Sequence, residues 1–265
     1  MKISFIGCGN MAGAIIRGIA AKGAVEPENI FAFDTNDEKT QALKSETGIN
    51  TAQSAKDAAE KADIIFCAVK PNILAFVLKE IDGIVCGKNK TIVSIAAGKT
   101  IAFIEENLSE TCAVIRVMPN INAKVGEACS ALCANDAVQE ERKQFVMQIF
   151  SAVGEITELP ESSFPLFGVI AGCAPAFSYM FIDAIARAGV KNGMSKDLAL
   201  KFAAQTVLGS AKMVLESGEH PYKLTDMVCS PGGTTIEGVL SLQADGFESA
   251  MHNAVNKAVE KDKLL

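Results

Sequence analysis

The sequence predicts an α/β protein: a doubly wound, mainly parallel sheet followed by an all-helical domain. Three observations carry this reading. Short apolar runs alternate with helical patterns over the first 160 residues, as in βαβ units. A glycine turn links the first such run to the first helix. From Glu161 onward only helical periodicity remains, which sets the expected division at 1–160 and 161–265.

In the opening "KISFIGCGNMAGAIIRGIA", a buried strand over Lys2 to Ile6 runs into an amphipathic helix whose packed side carries Ile15, Ile16 and Ile19. Gly7, Gly9 and Ala12 fill the dinucleotide fingerprint G-x-G-x-x-[GA]. Its first position makes the tight turn, its second lets a pyrophosphate approach the backbone, and its third packs helix on strand. A second strand, "IFAF", ends in Asp34, where an acid would hold the adenosine ribose hydroxyls.

Further strands are expected over Ala62 to Val69, Thr91 to Ala96 and Cys112 to Met118. They end in "KPN", "AGKT" and "PN", at the carboxyl edge where such sheets bind ligands. Pro71 fits the first turn of a helix and Gly98 a close backbone approach. "ACSALCAN" reads as another strand, a helix follows from about Val138 to Phe150, and "GEITELP" reads as a last edge strand closed by proline.

In the second half the stretch Ser162 to Ile182 is free of charge, but Pro165, Gly168, Gly172, Pro175 and Ser178 interrupt it. A buried helix pair or a subunit interface is expected rather than a membrane span. The helix starting after Ser195, its expected cap, carries bulk at Leu198, Phe202, Val207, Leu208, Met213 and Leu215. Small residues at Ala203, Thr206, Gly209, Ser210 and Ala211 lie between them. A helix apolar or small on nearly every side is surrounded by protein, so an interlocked homodimer is expected. The corner "CSPGGTTIEGV", Cys229 to Val239, places unpaired N–H groups at a helix start. It reads either as an anion cradle or as a turn with Ser230 or Thr234 as cap.

Composition narrows the partners. The chain has a net charge of −6 and no basic stripe, which disfavours nucleic acid and anionic membranes. The partner is expected to be a small molecule. Eight cysteines form no C-x-x-C pair and mostly sit in apolar runs, so they read as buried thiols of a reducing compartment. Cys129 and Cys133 fall on one face of a strand about 13 Å apart, too far to bond. With His220 and His252 the only histidines, no zinc site is expected. Glycine at position 7 comes too early for a signal peptide, and the expected location is the cytoplasm.

The residues resemble the pyrroline-5-carboxylate reductases, which reduce a cyclic imine to proline with NADPH or NADH. The likeness runs through "IGCGNMAGAI", "AVKP", "SIAAGKT", "RVMPN", "GCAPAF" and, most specifically, "SPGGTTIEGV". It implies a Rossmann-type domain followed by an intertwined helical dimerisation domain, with dimers often assembled into larger rings. The implied cofactor residues are Ile6, Gly7, Cys8, Gly9, Asn10 and Met11, then Ala68, Val69, Lys70 and Pro71, then Ile95, Ala96 and Ala97, with Glu161 matching an acid that touches cofactor in relatives. The implied substrate residues are Gly232, Gly233, Thr234 and Thr235. In this reading the cradle holds the substrate carboxylate while the Thr235 hydroxyl, the expected catalytic group, reaches the imine nitrogen.

Three departures stand out. Gly172, Cys173, Ala174, Pro175 and Ala176 replace the family's glycine-serine-glycine-proline-alanine, so Ala174 gives up glycine's backbone freedom. Met227 replaces a frequent asparagine. Asp34 would repel a 2′-phosphate, and "DTND" supplies no compensating arginine, so the sequence leans to NADH or to use of both cofactors. A β-hydroxyacid dehydrogenase would carry K-x-x-x-N, which the second half lacks. A related imine or pyrroline-2-carboxylate reductase and a non-catalytic NAD(P)-binding regulator are the alternatives.

Overall fold

A computed structural model describes residues 1–262. Met1–Gly172 form one compact unit and the helices from Cys173 onward a second. The first unit is an eight-stranded sheet in the order β3-β2-β1-β4-β5-β6-β7-β8. The strands are β1 Ile3–Ile6, β2 Ile30–Phe33, β3 Asn50–Thr51, β4 Ile64–Cys67, β5 Thr91–Ser94, β6 Ala113–Met118, β7 Ala128–Ala134 and β8 Gly154–Glu158. Among the described pairings β6 with β7 is antiparallel and the others are parallel. The order reverses at β1 and β4, which creates a crevice beyond their carboxyl ends.

Helices α1 Asn10–Lys22, α2 Asp37–Thr47, α3 Ala55–Lys61, α4 Leu74–Val85, α5 Ile101–Glu105 and α6 Glu140–Ser151 cover the two faces. One core layer joins Ile15, Ile16 and Ile19 of α1 to Val146, Ile149 and Phe150 of α6 through Phe5 and Phe66. The other joins Leu74, Leu78 and Ile81 of α4 to Ile65, Ile92 and Val114. Every residue of β1 is buried, as expected for a central strand covered on both faces. Phe66 stacks on Phe5 with centroids 4.5 Å apart and meets Phe150 at 6.2 Å. Phe66→Leu is expected to lower stability by about 1–2 kcal/mol, because the smaller side chain leaves part of this site unfilled. Urea unfolding monitored by circular dichroism checks it.

Two local expectations change. Pro71 opens a turn ahead of α4 rather than lying in the helix, since α4 starts at Leu74. The cysteines are not all free: the sulfurs of Cys86 and Cys112 are in bonding contact, with Cα atoms 5.5 Å apart. The end of α4 and the entry to β6 meet there, and a separation of 26 residues conceals this in the sequence.

Beyond β8 the chain continues through α7 Phe164–Phe167 and a π-helical turn over Gly168–Cys173. The second unit begins with α8 Ala174–Lys191, followed by α9 Lys196–Ser217, α10 Pro221–Val228, α11 Thr234–Ala244 and α12 Phe247–Asp262. Helices α8 and α9 meet through Ala186, Ala199 and Ala203, small residues that let the backbones approach. Ser195 is the N-cap position of α9, but its hydroxyl caps nothing. The bulk of α9, including Phe202, Leu208, Met213 and Leu215, lies on the surface of the single chain.

Candidate active site

The crevice is built on the glycine turn. Gly7 adopts φ +97°, a conformation that side chains rarely take, and its N–H donates to the Phe33 carbonyl at 2.7 Å. A Cβ there would lie 2.6 Å from the Ala68 oxygen and 3.1 Å from Val69 Cγ1. Ala68 and Val69 therefore abut the turn; Lys70 is exposed. A Cβ on Gly9, by contrast, would meet nothing within 4 Å. Gly9 is also the N-cap of α1, and no side chain caps it. Open space beside free helical N–H groups fits the pyrophosphate of a dinucleotide.

Around this loop the structure gathers other predicted residues. Met11, Ile95, Ala96 and Ala97 line a cavity of about 190 Å3, together with Arg116 and Pro119. Cys8, Gly9 and Asn10 border a larger groove of about 750 Å3 that Lys39 also lines. The Cys8 side chain contributes no nucleophile. Burial, and after it the neighbouring Asp34 carboxylate, push the thiol up to about 12.

Asp34 is placed differently from a residue reaching outward. Its Oδ2 accepts from the Cys8 N–H at 2.7 Å and its Oδ1 from the Asn36 N–H at 2.9 Å, with Lys39 Nζ 3.4 Å away. Burial pushes this carboxyl up, but the two N–H groups and the Lys39 ammonium outweigh it and hold it below the usual carboxylate value. A depressed folded-state pKa adds stability that is present above the unfolded value near 3.9 and lost as pH falls through the folded one. Asp34→Asn is therefore expected to lose about 1.5–3 kcal/mol at pH 7. The gap to the parent should begin to narrow below about pH 4 and close as pH falls through the folded-state value. Urea midpoints at pH 7 and pH 3 check it, and a gap that is the same at both would contradict the ionic origin.

Glu161 sits in a 3-10 turn after β8, its Oε1 accepting from the Ile101 N–H at 2.8 Å and from Arg116 Nη1 at 2.9 Å. Arg116 is 7% exposed and lies over the Phe164 ring at 4.5 Å. The sequence reading gave Arg116 no role; its signal was a lone cation inside the apolar strand "CAVIRVM". Asn120, at the end of β6, turns inward, donating to the Ala171 carbonyl and accepting from the Cys129 N–H. It ties backbone together instead of facing the crevice.

In the second unit the corner has one clear geometry. The Gly233 N–H donates to the Ser230 carbonyl at 3.0 Å across Pro231 and Gly232, the latter at φ +67°, which makes a tight turn. Gly233 is the N-cap of α11 and no side chain caps it. Ser230 and Thr234 therefore do not serve as caps, and Thr234 and Thr235 are the first helical residues, both exposed. Their N–H groups precede the first intrahelical bonds and point with the helix dipole. Such an end can hold a carboxylate. The neighbouring departures are accommodated: Ala174 starts α8 in ordinary helical backbone and needs no glycine, and Met227 is a surface residue of α10.

Comparison with known proteins gives two family models. Residues 161–265 match the family model described as pyrroline-5-carboxylate reductase dimerisation. Residues 2–98 match one described as NADP oxidoreductase, coenzyme F420-dependent. The pyrroline-5-carboxylate reductase of Escherichia coli is 46% identical over 100% of this chain and 98% of its own. Among solved structures, a Plasmodium falciparum pyrroline carboxylate reductase with NADP bound is 36% identical, with a TM-score of 0.87 over 100% of this chain and 97% of that one. A Coxiella burnetii pyrroline-5-carboxylate reductase is 31% identical, with a TM-score of 0.94 over 99% and 97%.

Proposed function

This chain belongs to the pyrroline-5-carboxylate reductase family, and from that premise we infer that it reduces 1-pyrroline-5-carboxylate to L-proline, the last step of proline biosynthesis. NADPH or NADH supplies the hydride that the imine carbon accepts. Residues 1–160 bind the cofactor, and residues 161–265 dimerise and bind the substrate. The observation that carries this assignment is a pair of separate anion cradles. The uncapped α1 start at Gly9 suits a pyrophosphate, and the uncapped α11 start at Gly233 suits a smaller carboxylate.

The roles follow from these positions. Gly7 and Gly9 shape the loop, with Ile6, Cys8, Asn10 and Met11 beside it. Ala68 and Val69 form its neighbouring wall, with Lys70 and Pro71 next in the chain, and Ile95, Ala96 and Ala97 line the small cavity. Asp34 and Glu161 support this cofactor region through the backbone and Arg116. Gly232, Gly233, Thr234 and Thr235 hold the substrate carboxylate, and the Thr235 hydroxyl hydrogen-bonds the imine nitrogen. Hydride transfer to a protonated imine needs neither nucleophile nor strong acid, so positioning supplies most of the rate.

The chain forms a homodimer through its helical domain. The surface bulk of α9 supports this, because a single copy leaves that apolar face uncovered. Dimers assemble further into rings, and the protein works in the cytoplasm. Helices Glu161–Lys191 and Lys196–Ser217 are long and apolar enough to cross a membrane. Their interrupting small and proline residues suit contact with a second copy better. Light scattering at micromolar concentration tests assembly, and a monodisperse monomer would overturn it. Oxidation of NADPH and NADH followed with pyrroline-5-carboxylate tests the activity. No oxidation with either cofactor would overturn the reductase assignment, and faster turnover of pyrroline-2-carboxylate would reassign the substrate.

A further inference from the structure

The pair Asp34 and Lys39 bears on which dinucleotide is preferred, an inference that rests on the cofactor site described above. A carboxylate that grips ribose hydroxyls must offer them open lone pairs at the surface of the site. Here both oxygens are turned inward, to the Cys8 and Asn36 N–H groups, and the side chain is only 10% exposed. Turning it outward would strand the Cys8 N–H within the glycine loop itself. Its charge is already offset by Lys39 Nζ, 3.4 and 3.5 Å from the two oxygens. Lys39 is half exposed and borders the open groove beside Cys8, Gly9 and Asn10, whose other cations are Arg17, Lys22 and Lys124. Arg17 is itself paired with Glu46. An incoming phosphate therefore meets the exposed ammonium of a neutral pair, with the carboxylate buried behind it.

We propose that Asp34 is a positioning residue that braces the glycine loop, and that Lys39 receives the adenosine 2′-phosphate, making NADP(H) the preferred dinucleotide. The acid that the sequence reads as a mark of NADH thus acts on the loop backbone, and both cofactors depend on it. Lys39 is the residue that tells them apart.

Calorimetric titration of the purified full-length protein with NADP+ and NAD+ tests this without requiring turnover. The parent should bind NADP+ at least about tenfold more tightly than NAD+, and Lys39→Met should erase about a tenfold part of that preference, the lower range for a charge-assisted contact. Asp34→Asn should weaken both dinucleotides by similar factors, leaving their ratio within about threefold of the parent's. An Asp34→Asn protein that loses NAD+ while gaining NADP+ would overturn the brace. An unchanged ratio in Lys39→Met would overturn the phosphate contact. The expected binding pattern without turnover of pyrroline-5-carboxylate would overturn the reductase assignment alone; full turnover with the opposite pattern would overturn this proposal alone.

Discussion

Thr235→Ala is expected to lower kcat with pyrroline-5-carboxylate about 100-fold while leaving the fold intact. The side chain is exposed at the start of α11, where alanine is at least as good a helix former as threonine, so no stability is lost. What disappears, in the proposed site, is the hydroxyl that orients the imine nitrogen, and with it the alignment of the imine carbon with the hydride donor. Thr235→Ser keeps the hydroxyl and should recover to within about tenfold of the parent. Steady-state kinetics with saturating cofactor separate the outcomes. An undiminished Thr235→Ala rate would remove the hydroxyl from the mechanism and leave the carboxylate grip as the sole role of the corner.

Gly7→Ala is expected to abolish cofactor binding and to destabilise the first unit by about 3 kcal/mol or more. The added Cβ would lie 2.6 Å from the Ala68 oxygen, and alanine strains at φ +97°, so backbone must move on both sides of the turn. Gly9→Ala separates the two effects. Its Cβ enters open space at an ordinary φ of −71°, so stability should hold within about 0.5 kcal/mol. That same space is where a pyrophosphate would approach, so NADP+ affinity should fall by more than about tenfold. Urea midpoints and calorimetric titration of both variants check this contrast. Gly9→Ala binding at the parent's affinity would show that the cradle lies elsewhere.

Much of the site was legible because it is local. The turn at Gly7, the open approach at Gly9 and the helix start at Gly233 each depend on a few consecutive residues whose backbone preferences are written in their type. The parts that were not legible join distant residues. Asp34 was assigned to a ribose by its place after β2; one of its oxygens accepts from Cys8, 26 residues away, and that partner depends on how β2 lies beside β1. Arg116 was passed over in an apolar strand, and its partner Glu161 is 45 residues on. Ser195 and Ser230 looked like caps by type, but a hydroxyl caps only when its rotamer and the chain's entry angle allow it.

Sheet topology divides in the same way. Alternating apolar runs and helical patterns determined that β1, β2, β4, β5 and β6 are parallel strands, because each βαβ crossover returns the chain in the same direction. The antiparallel entry of β7 and the two-residue β3 had no comparable local signal. The sequence by itself therefore determined every strand but β3, the two turns that can cradle anions and the apolar helix that needs a second copy. Tertiary structure alone decided the long-range partners of the buried charges Asp34 and Arg116. Backbone preference acts over a few residues, whereas a buried carboxylate or guanidinium must be satisfied by whatever groups packing brings within 3 Å, however far along the chain they lie.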